Sequence, residues 1–232
     1  MFGHNLPGFY ISIEGIRCCG KSTQTELLTQ WLKEIYPGRE ILKTKEPGGT
    51  EKSDQIREAI VSKSKNGETL NPLAEMYLFA ASRNQAIYEL IKPALERGAI
   101  VVSDRCVLSS LCYQGFGLDL GWQNVLRVNT EVLEGITPNL IIFPDISTEE
   151  SLKRIKLREV RDNVYDDKSP EYYEQVRKGY LFFLEKLPKE IIKIDGFLPA
   201  ESQAELIREI MGKVFKEREI RSEIDFSNGR RK

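Results

Sequence analysis

The residues best placed to do chemistry form the run Gly15-Ile16-Arg17-Cys18-Cys19-Gly20-Lys21-Ser22, with Thr23 directly after it. This run fits the pattern GxxxxGK followed by Ser or Thr, and it stands between an apolar run and a segment of helical periodicity. Glycines let the backbone curl around a phosphate, and free N–H groups at a helix start attract its charge. Lys21 can reach the β- and γ-phosphates, and the hydroxyl of Ser22 can ligate Mg²⁺. The run therefore predicts a loop that binds a nucleoside triphosphate.

Nucleoside triphosphate binding does not by itself specify a reaction. No NKxD element follows the loop, which disfavours a switch GTPase. No LSGGQ-like signature is present either, which disfavours a transport ATPase. Phosphoryl transfer to a small molecule remains the natural candidate.

Asp104 and Arg105 directly follow the apolar run Ala99–Ser103. An acidic residue at the carboxyl end of a strand lies where ligands bind in doubly wound sheets. Asp104 could hold Mg²⁺ or its water, or orient the acceptor. Arg105 could clamp an acceptor phosphate through two parallel hydrogen bonds. A surface Asp–Arg pair would explain the same residues, but the phosphate loop favours the functional interpretation.

Two further clusters are compatible with nucleotide binding. Phe79 and Arg83 are four residues apart and share one helix face, which would suit a base and its phosphate. A core Phe with a neighbouring Arg that reaches solvent is an equal alternative. The basic stretch Lys153–Asp162 could form a mobile lid whose arginines neutralise the transferring phosphoryl group. A solvated basic helix face is the alternative for that stretch.

The elements that must position these groups alternate between apolar runs and helical patterns. The apolar runs predict strands over Phe9–Ile13, Ile41–Thr44, Ala99–Ser103, Leu140–Phe143 and Ile191–Ile194. Helical periodicity predicts helices over Gly20–Ile35, Glu51–Val61, Leu73–Leu95, Val107–Tyr113, Trp122–Leu133 and Ala200–Phe215. Strands separated by helices imply parallel pairing with both faces covered. We therefore predict an α/β fold, a P-loop NTPase-type three-layer sandwich with a five-stranded parallel sheet and helices on both faces.

Composition limits the class of protein further. The 232 residues carry a formal net charge of −1, so no overall positive field supports nucleic-acid binding. No run approaches the 18 or so apolar residues of a membrane span, and no secretory signal is present at the N-terminus. Four cysteines without CxxC spacing and a single histidine disfavour a zinc site and favour a reduced, cytoplasmic compartment. We expect one domain over 1–232, with a charged tail over about 216–232.

The motifs and their order resemble a thymidylate kinase of the bacterial type. The resemblance covers about residues 9–215 and is carried by FYISIEGIRCCGKST, KEPGGT, LFAASR, SDR, YQG and the stretch Ser151–Asp167. It implies transfer of the ATP γ-phosphoryl group to dTMP, giving dTDP and ADP with Mg²⁺. It also implies a homodimer and a lid over about 148–167.

The resemblance implies roles for the matching positions on the acceptor side. The acceptor-binding residues would be Glu46, Pro47, Phe79, Arg83, Arg105, Ser110, Tyr113 and Gln114. Phe79 would stack on thymine, and Arg83 and Gln114 would hydrogen-bond the base. Arg105 would hold the dTMP phosphate, and Tyr113 would crowd the 2′ position of the sugar. Glu46 and Pro47 would shape their loop, often with a cis peptide in this family.

On the donor side, the ATP-binding residues would be those of Gly15–Thr23 with Arg154 and Arg161 of the lid. The catalytic residues would be Lys21, Asp104, Arg105 and Arg158. Ser22 and Asp104 would be the metal ligands.

The phosphate loop departs from the family pattern at Arg17, where Asp or Glu usually contacts the acceptor sugar. One family branch has Arg at the next position, which is Cys18 here. Arg17 could act as a displaced charge-stabilising arginine or could disrupt the usual acceptor contact. Two alternatives to a dTMP kinase therefore stay open: a related nucleoside monophosphate kinase with another acceptor, and a catalytically impaired nucleotide-binding paralogue.

Overall fold

The computed structural model describes residues 2–159 and 163–229. Five parallel strands form one sheet in the order β2-β3-β1-β4-β5. The strands are β1 (Phe9–Ile13), β2 (Ile41–Lys45), β3 (Ile100–Asp104), β4 (Leu140–Asp145) and β5 (Ile191–Asp195). The predicted five-stranded parallel sheet is confirmed, and each predicted strand lies within two residues of its observed bounds.

Nine helices accompany these strands in the part of the chain that is described. They are α1 (Lys21–Ile35), α2 (Glu51–Val61), α3 (Pro72–Ala86), α4 (Lys92–Glu96), α5 (Val107–Ser110), α6 (Trp122–Val132), α7 (Thr148–Lys156), α8 (Pro170–Lys186) and α9 (Ala200–Gly229). Wider π-helical segments over Ile87–Ile91 and Leu111–Gly117 follow α3 and α5, and a 3-10 turn covers Val164–Asp167.

Side chains of the central strand β1 alternate between two buried faces. Phe9, Ile11 and Ile13 pack with residues of α1 and α9 on one face of the sheet. Tyr10 packs on the other face, against the segment from Ile87 to Leu95. Helices therefore cover both faces, as the predicted three-layer sandwich requires.

Three differences from the predicted helices have local causes. The helix predicted over Leu73–Leu95 is interrupted by the π segment Ile87–Ile91, just before Pro93, which lacks the N–H of a regular α-helix. The segment predicted as a helix over Val107–Tyr113 turns π-helical from Leu111 onwards. The last helix runs to Gly229 instead of ending at Phe215, and the charged run from 216 has no Gly or Pro before Gly229.

Helix α8 was missed by the sequence analysis, although it carries clear signals. Ser169 caps it by accepting a hydrogen bond from the Tyr172 amide, and Pro170 stands in its first turn. Its buried side chains recur at helical spacing along one face: Tyr172, Tyr173, Val176, Tyr180 and Phe183.

Strand pairing brings the candidate site together at the carboxyl edge of the sheet. Ile13 at the end of β1 is in register with Asp104 at the end of β3, and so is Lys45 at the end of β2. The amide of Glu46 donates to the carbonyl of Asp104 at 2.9 Å. The loops that follow these three strands therefore meet at one place.

Candidate active site

The phosphate loop connects β1 to α1 through three left-handed residues. Gly15, Cys18 and Gly20 have φ values of 142°, 59° and 96°. A Cβ atom on Gly15 would lie 2.7 Å from the Cys19 sulfur, so this position requires glycine. Gly20 caps α1 without a side-chain hydrogen bond. The first amides of α1 can therefore donate to an anion.

Lys21 and Ser22 begin α1 beside this loop. The Lys21 ammonium is buried and donates to the Ile16 carbonyl at 2.7 Å. The Ser22 hydroxyl donates to Asp104 Oδ2 at 2.5 Å, because the pairing of β1 with β3 places the two side by side. The two predicted metal ligands are therefore in contact, whereas Thr23 is exposed on the first turn of α1.

A cavity of about 460 Å³ opens beside the phosphate loop. Six of its lining residues were predicted site residues: Arg17, Pro47, Phe79, Arg105, Tyr113 and Gln114. The others were not predicted: Arg57, Val61, Ser109, Asn163 and Tyr165. Its wall carries three arginines, Arg17, Arg57 and Arg105.

Arg105 is held in place by the cavity wall. Its Nη1 donates to Ser109 Oγ at 2.8 Å and to the Gly15 carbonyl at 3.2 Å. Its Nη2 donates to the Tyr113 hydroxyl at 3.1 Å, and its Cζ atom lies 4.8 Å from the centre of the Tyr113 ring. The guanidinium is thus oriented before any ligand binds.

Glu14 supports Arg105 from the interior and was not predicted. Its carboxylate is fully buried and accepts hydrogen bonds from Ser109 Oγ at 2.6 Å and from the Tyr180 hydroxyl at 2.7 Å. It also accepts from the amide of Cys106 at 2.7 Å. A glutamate directly after the buried strand Phe9–Ile13 was the available signal for a paired buried charge.

Gln114 lines the cavity and has one unused hydrogen-bond acceptor. Its Nε2 donates to Glu75 Oε1 at 2.8 Å, and the Tyr165 hydroxyl donates to the same oxygen at 2.7 Å. Gln114 Oε1 is buried and has no hydrogen-bond partner among the described residues. Because an ionised carboxylate only accepts hydrogen bonds, Glu75 determines which end of the Gln114 amide faces it.

Arg83, Glu46 and Ser110 form a buried network, and none of the three lines the cavity. Arg83 Nε donates to Glu46 Oε2 at 2.7 Å, and its Nη2 donates to Ser110 Oγ at 2.9 Å. Its Nη1 donates to Asn129, which the sequence analysis missed. Burial raises the pKa of Glu46, although the positive charge of Arg83 acts in the opposite direction. The Glu46–Pro47 peptide is cis, as the resemblance implied.

Arg57 on α2 is a cavity residue that the sequence analysis missed. Its Nη1 donates to the Pro47 carbonyl at 3.0 Å. Burial lowers the pKa of its guanidinium, and the positive charge of Arg105 lowers it further. The sequence around Arg57 has no motif, so the only signal was a basic residue on a helix that follows a site loop.

The basic residues after β4 lie beside the phosphate loop. Arg154 Nη1 donates to the Cys18 carbonyl at 3.3 Å, and its Nε donates to Glu150 at 2.7 Å. Arg158 lies 3.5 Å from Asp166 Oδ1. Arg161 falls outside the described residues.

A phosphate loop, an adjacent hydroxyl–carboxylate pair and a cavity walled by arginines define a P-loop kinase that acts on a small phosphorylated molecule. The family model described as thymidylate kinase matches residues 13–207. A thymidylate kinase of Thermoanaerobacter sp. (strain X514) is 39% identical over 82% of this chain and 91% of its own. One of Bacillus licheniformis is 35% identical over 93% of this chain and 100% of its own.

A solved structure agrees with these sequence matches. The crystal structure of thymidylate kinase from Ehrlichia chaffeensis superposes with a TM-score of 0.72 at 25% identity, covering 88% of this chain and 98% of that one. The chain therefore belongs to the thymidylate kinase family. Within residues 2–159 and 163–229, no helix is both long and apolar enough to cross a membrane.

Proposed function

We propose that this chain transfers the γ-phosphoryl group of ATP to dTMP, giving dTDP and ADP. Membership of the thymidylate kinase family supports this reaction. Within this chain, the observation that favours thymine as the base is the unused acceptor of Gln114, which lines the cavity.

Gln114 suits thymine because of the hydrogen at its N3 atom. Glu75 holds the amide nitrogen of Gln114, so the amide oxygen remains to accept a hydrogen bond. Thymine can donate to this oxygen through N3–H. Neutral cytosine has no hydrogen at N3, so two acceptors, cytosine N3 and the Gln114 oxygen, would face each other. Phe79 lines the same cavity and offers a ring face for stacking.

The acceptor phosphate would bind at Arg105 and Arg57, which line the same cavity. Both guanidiniums are oriented by protein acceptors, so little further ordering is needed when the phosphate binds. Tyr113 would crowd the 2′ position of the sugar, as the resemblance implies. The buried residues Arg83, Glu46 and Ser110 would influence dTMP binding indirectly, because their network holds the cavity wall in shape.

The donor phosphates would bind at the loop Gly15–Thr23 and the amides of α1. Lys21 would leave the Ile16 carbonyl to meet the β- and γ-phosphates. Arg154 and Arg158, with Arg161, would neutralise charge on the transferring group. The protein contributes positioning and electrostatic stabilisation, which dominate phosphoryl transfer.

Ser22 and Asp104 fit a magnesium ion. Their hydroxyl and carboxylate oxygens are in contact, and Mg²⁺ prefers oxygen ligands completed by water and substrate phosphates. When bound, Mg²⁺ would neutralise charge on the ATP phosphates.

We further propose a cytoplasmic homodimer. All four cysteines are free thiols, which suits a reducing compartment. The apolar residues Leu108, Leu111 and Val125 are buried within the monomer and are not available to a partner subunit. Leu73 and Tyr77 offer a different face, because they lie one turn apart on α3 and are 52% and 58% exposed.

A coupled ADP-release assay with MgATP tests the proposed reaction. The acceptors are dTMP, dUMP, dCMP, UMP, CMP and AMP, with a reaction lacking acceptor as the blank. We expect dTMP to give the highest kcat/KM and dCMP to be a poor acceptor. Preference for another acceptor, or folded ATP-binding protein without turnover, would contradict the proposal.

A further inference from the structure

Arg17 in the phosphate loop is paired with a carboxylate from a distant segment. Its Nε donates to Asp166 Oδ1 at 2.5 Å, and the Asp166 side chain is completely buried. Its carbonyl accepts a hydrogen bond from Ser151 Oγ at 2.6 Å. Burial would lower the pKa of Arg17, but Asp166 outweighs it and raises that pKa. Arg17 is thus a charged guanidinium held by one edge.

The other edge of this guanidinium is available to a ligand. Neither terminal nitrogen of Arg17 has a hydrogen-bond partner in the described part of the chain, although Arg17 lines the cavity with Arg57 and Arg105. Three guanidiniums around one small space repel one another unless an anion lies among them. Burial is the main cause of the lowered pKa of Arg57, and the positive charges of Arg105 and Arg17 lower it further.

We propose that Arg17 is a third arginine for the acceptor phosphate, and that Asp166 is the positioning residue that aims it. Asp166 does not line the cavity and holds Nε, so both terminal amino groups remain free to bind a phosphate. This inference rests on the proposed dTMP kinase function. It assigns Arg17, predicted among the ATP-binding residues, to the acceptor instead.

The 3-10 turn Val164–Asp167 connects the Arg17–Asp166 pair to the rest of the site. Asp166 comes directly after Tyr165, which lines the cavity and donates to Glu75. The same turn therefore orients groups beside both the base and the phosphate of the acceptor. Asn163 caps the turn by accepting from the Tyr165 amide, which fixes where Asp166 points.

The test compares ligands with and without a phosphate. We would measure equilibrium binding of dTMP and of thymidine, together with the KM for ATP, in the variants Arg17→Met, Asp166→Asn and Arg17→Met/Asp166→Asn. Glu40→Gln is the matched control, because it makes the same change in an exposed carboxylate–arginine pair with Arg97.

We expect Arg17→Met to weaken dTMP binding about tenfold or more, the size of a charge-assisted hydrogen bond, and Asp166→Asn to weaken it less, by about threefold, because the guanidinium is still present. Thymidine affinity should stay within about twofold of wild type in all three variants. The KM for ATP should stay within about twofold in Arg17→Met, which is the variant used for this comparison because Asp166 also lies 3.5 Å from Arg158. The double variant should bind dTMP no more weakly than Arg17→Met, because Asp166 acts through Arg17. Glu40→Gln should resemble wild type.

Other results would overturn the inference. Equal weakening of thymidine and dTMP would make the pair structural, and a raised KM for ATP with unchanged dTMP binding would assign Arg17 to the donor. Independent, additive effects of the two changes would remove the positioning role of Asp166. Failure of the wild-type protein to bind or phosphorylate dTMP would instead refute the proposed function, on which this inference rests.

Discussion

At the scale of single residues, the site depends on hydrogen-bonding groups whose direction is set by a neighbour. Glu75 turns the amide of Gln114, Ser109 and Tyr113 hold Arg105, and Asp166 holds Arg17. Each of these contacts sets the direction of the donors or acceptor that we propose for substrate binding. Selectivity therefore depends on residues that need not touch the substrate.

Glu75→Gln should reduce base selectivity. The new amide can accept from or donate to Gln114, so the Gln114 amide can turn over and present its nitrogen to the base. We expect the ratio of kcat/KM for dTMP to that for dCMP to fall about tenfold, the size of one hydrogen bond.

Tyr165→Phe is the matched control for this change. It removes the other donor to the same Glu75 oxygen and leaves the orienting acceptor in place. Its selectivity ratio should match wild type whatever its activity. An unchanged ratio in Glu75→Gln would contradict the assigned role of Glu75.

The four cysteines should differ sharply in their reactivity towards a thiol reagent. Cys106 and Cys112 are buried, and burial raises the pKa of both thiols well above the ordinary value, which leaves little reactive thiolate. Cys19 is also buried, whereas Cys18 is half-buried in the phosphate loop.

Titration of the native protein with a chromogenic disulfide near pH 8 should therefore modify Cys18 first, and MgATP should slow that reaction. Denatured protein should release four equivalents. Rapid modification of Cys106 or Cys112 in native protein, judged by mass spectrometry, would contradict the burial of these two thiols.

At the scale of elements, close packing of α8 on the π segment Leu111–Gly117 positions two residues that we propose bind the acceptor. A Cβ atom on Gly179 of α8 would lie 2.9 Å from the Phe116 ring and 3.2 Å from Cys112 Cα. The π segment carries Tyr113 and Gln114, so the approach of α8 determines where both side chains meet the cavity.

Gly179→Ala should separate these two elements. We expect a loss of roughly 1–3 kcal/mol in the free energy of unfolding, as is typical of overpacking, and a raised KM for dTMP. Chemical denaturation and steady-state kinetics measure the two effects.

Gly212→Ala in α9 is the control, because a Cβ atom there meets nothing within 4 Å. Since glycine costs a helix interior about 0.5–1 kcal/mol relative to alanine, this change should stabilise the protein slightly and leave the KM unchanged. Equal behaviour of the two variants would contradict the close approach of α8.

At the scale of the whole molecule, one face of α3 leaves apolar side chains unburied. Leu73 and Tyr77 are exposed one turn apart, and Tyr88 continues this face at 66% exposure. The opposite side of α3 carries the buried Arg83. A second copy packed on the exposed face would therefore support the helix that holds Phe79 in the cavity wall.

Tyr77→Lys should convert the proposed dimer to a monomer. A charge at the centre of an apolar interface loses its hydration without gaining a partner. Light scattering coupled to size exclusion should show about half the wild-type mass. Lys52→Glu, on an exposed face of α2, should keep the wild-type mass, and a monomeric wild type would refute the homodimer.

The local sequence by itself determined the strands and the phosphate loop, and the resemblance named Ser22 and Asp104 together as metal ligands. Apolar runs and glycine spacing act over a few residues, and parallel pairing then brings the carboxyl ends of the strands together. The family motifs likewise pointed to Phe79, Arg105, Tyr113 and Gln114 as acceptor residues, and all four line the cavity.

Only the tertiary structure decided which groups complete these motifs. Glu14, Glu75 and Asp166 meet partners that lie 95, 39 and 149 residues away along the chain. The tertiary structure also placed Arg83 in a buried network and gave Arg17 an acidic partner 149 residues away. Such contacts depend on how helices pack across the sheet. That geometry arises from the packing of the whole core, so the local spacing of residues does not encode it.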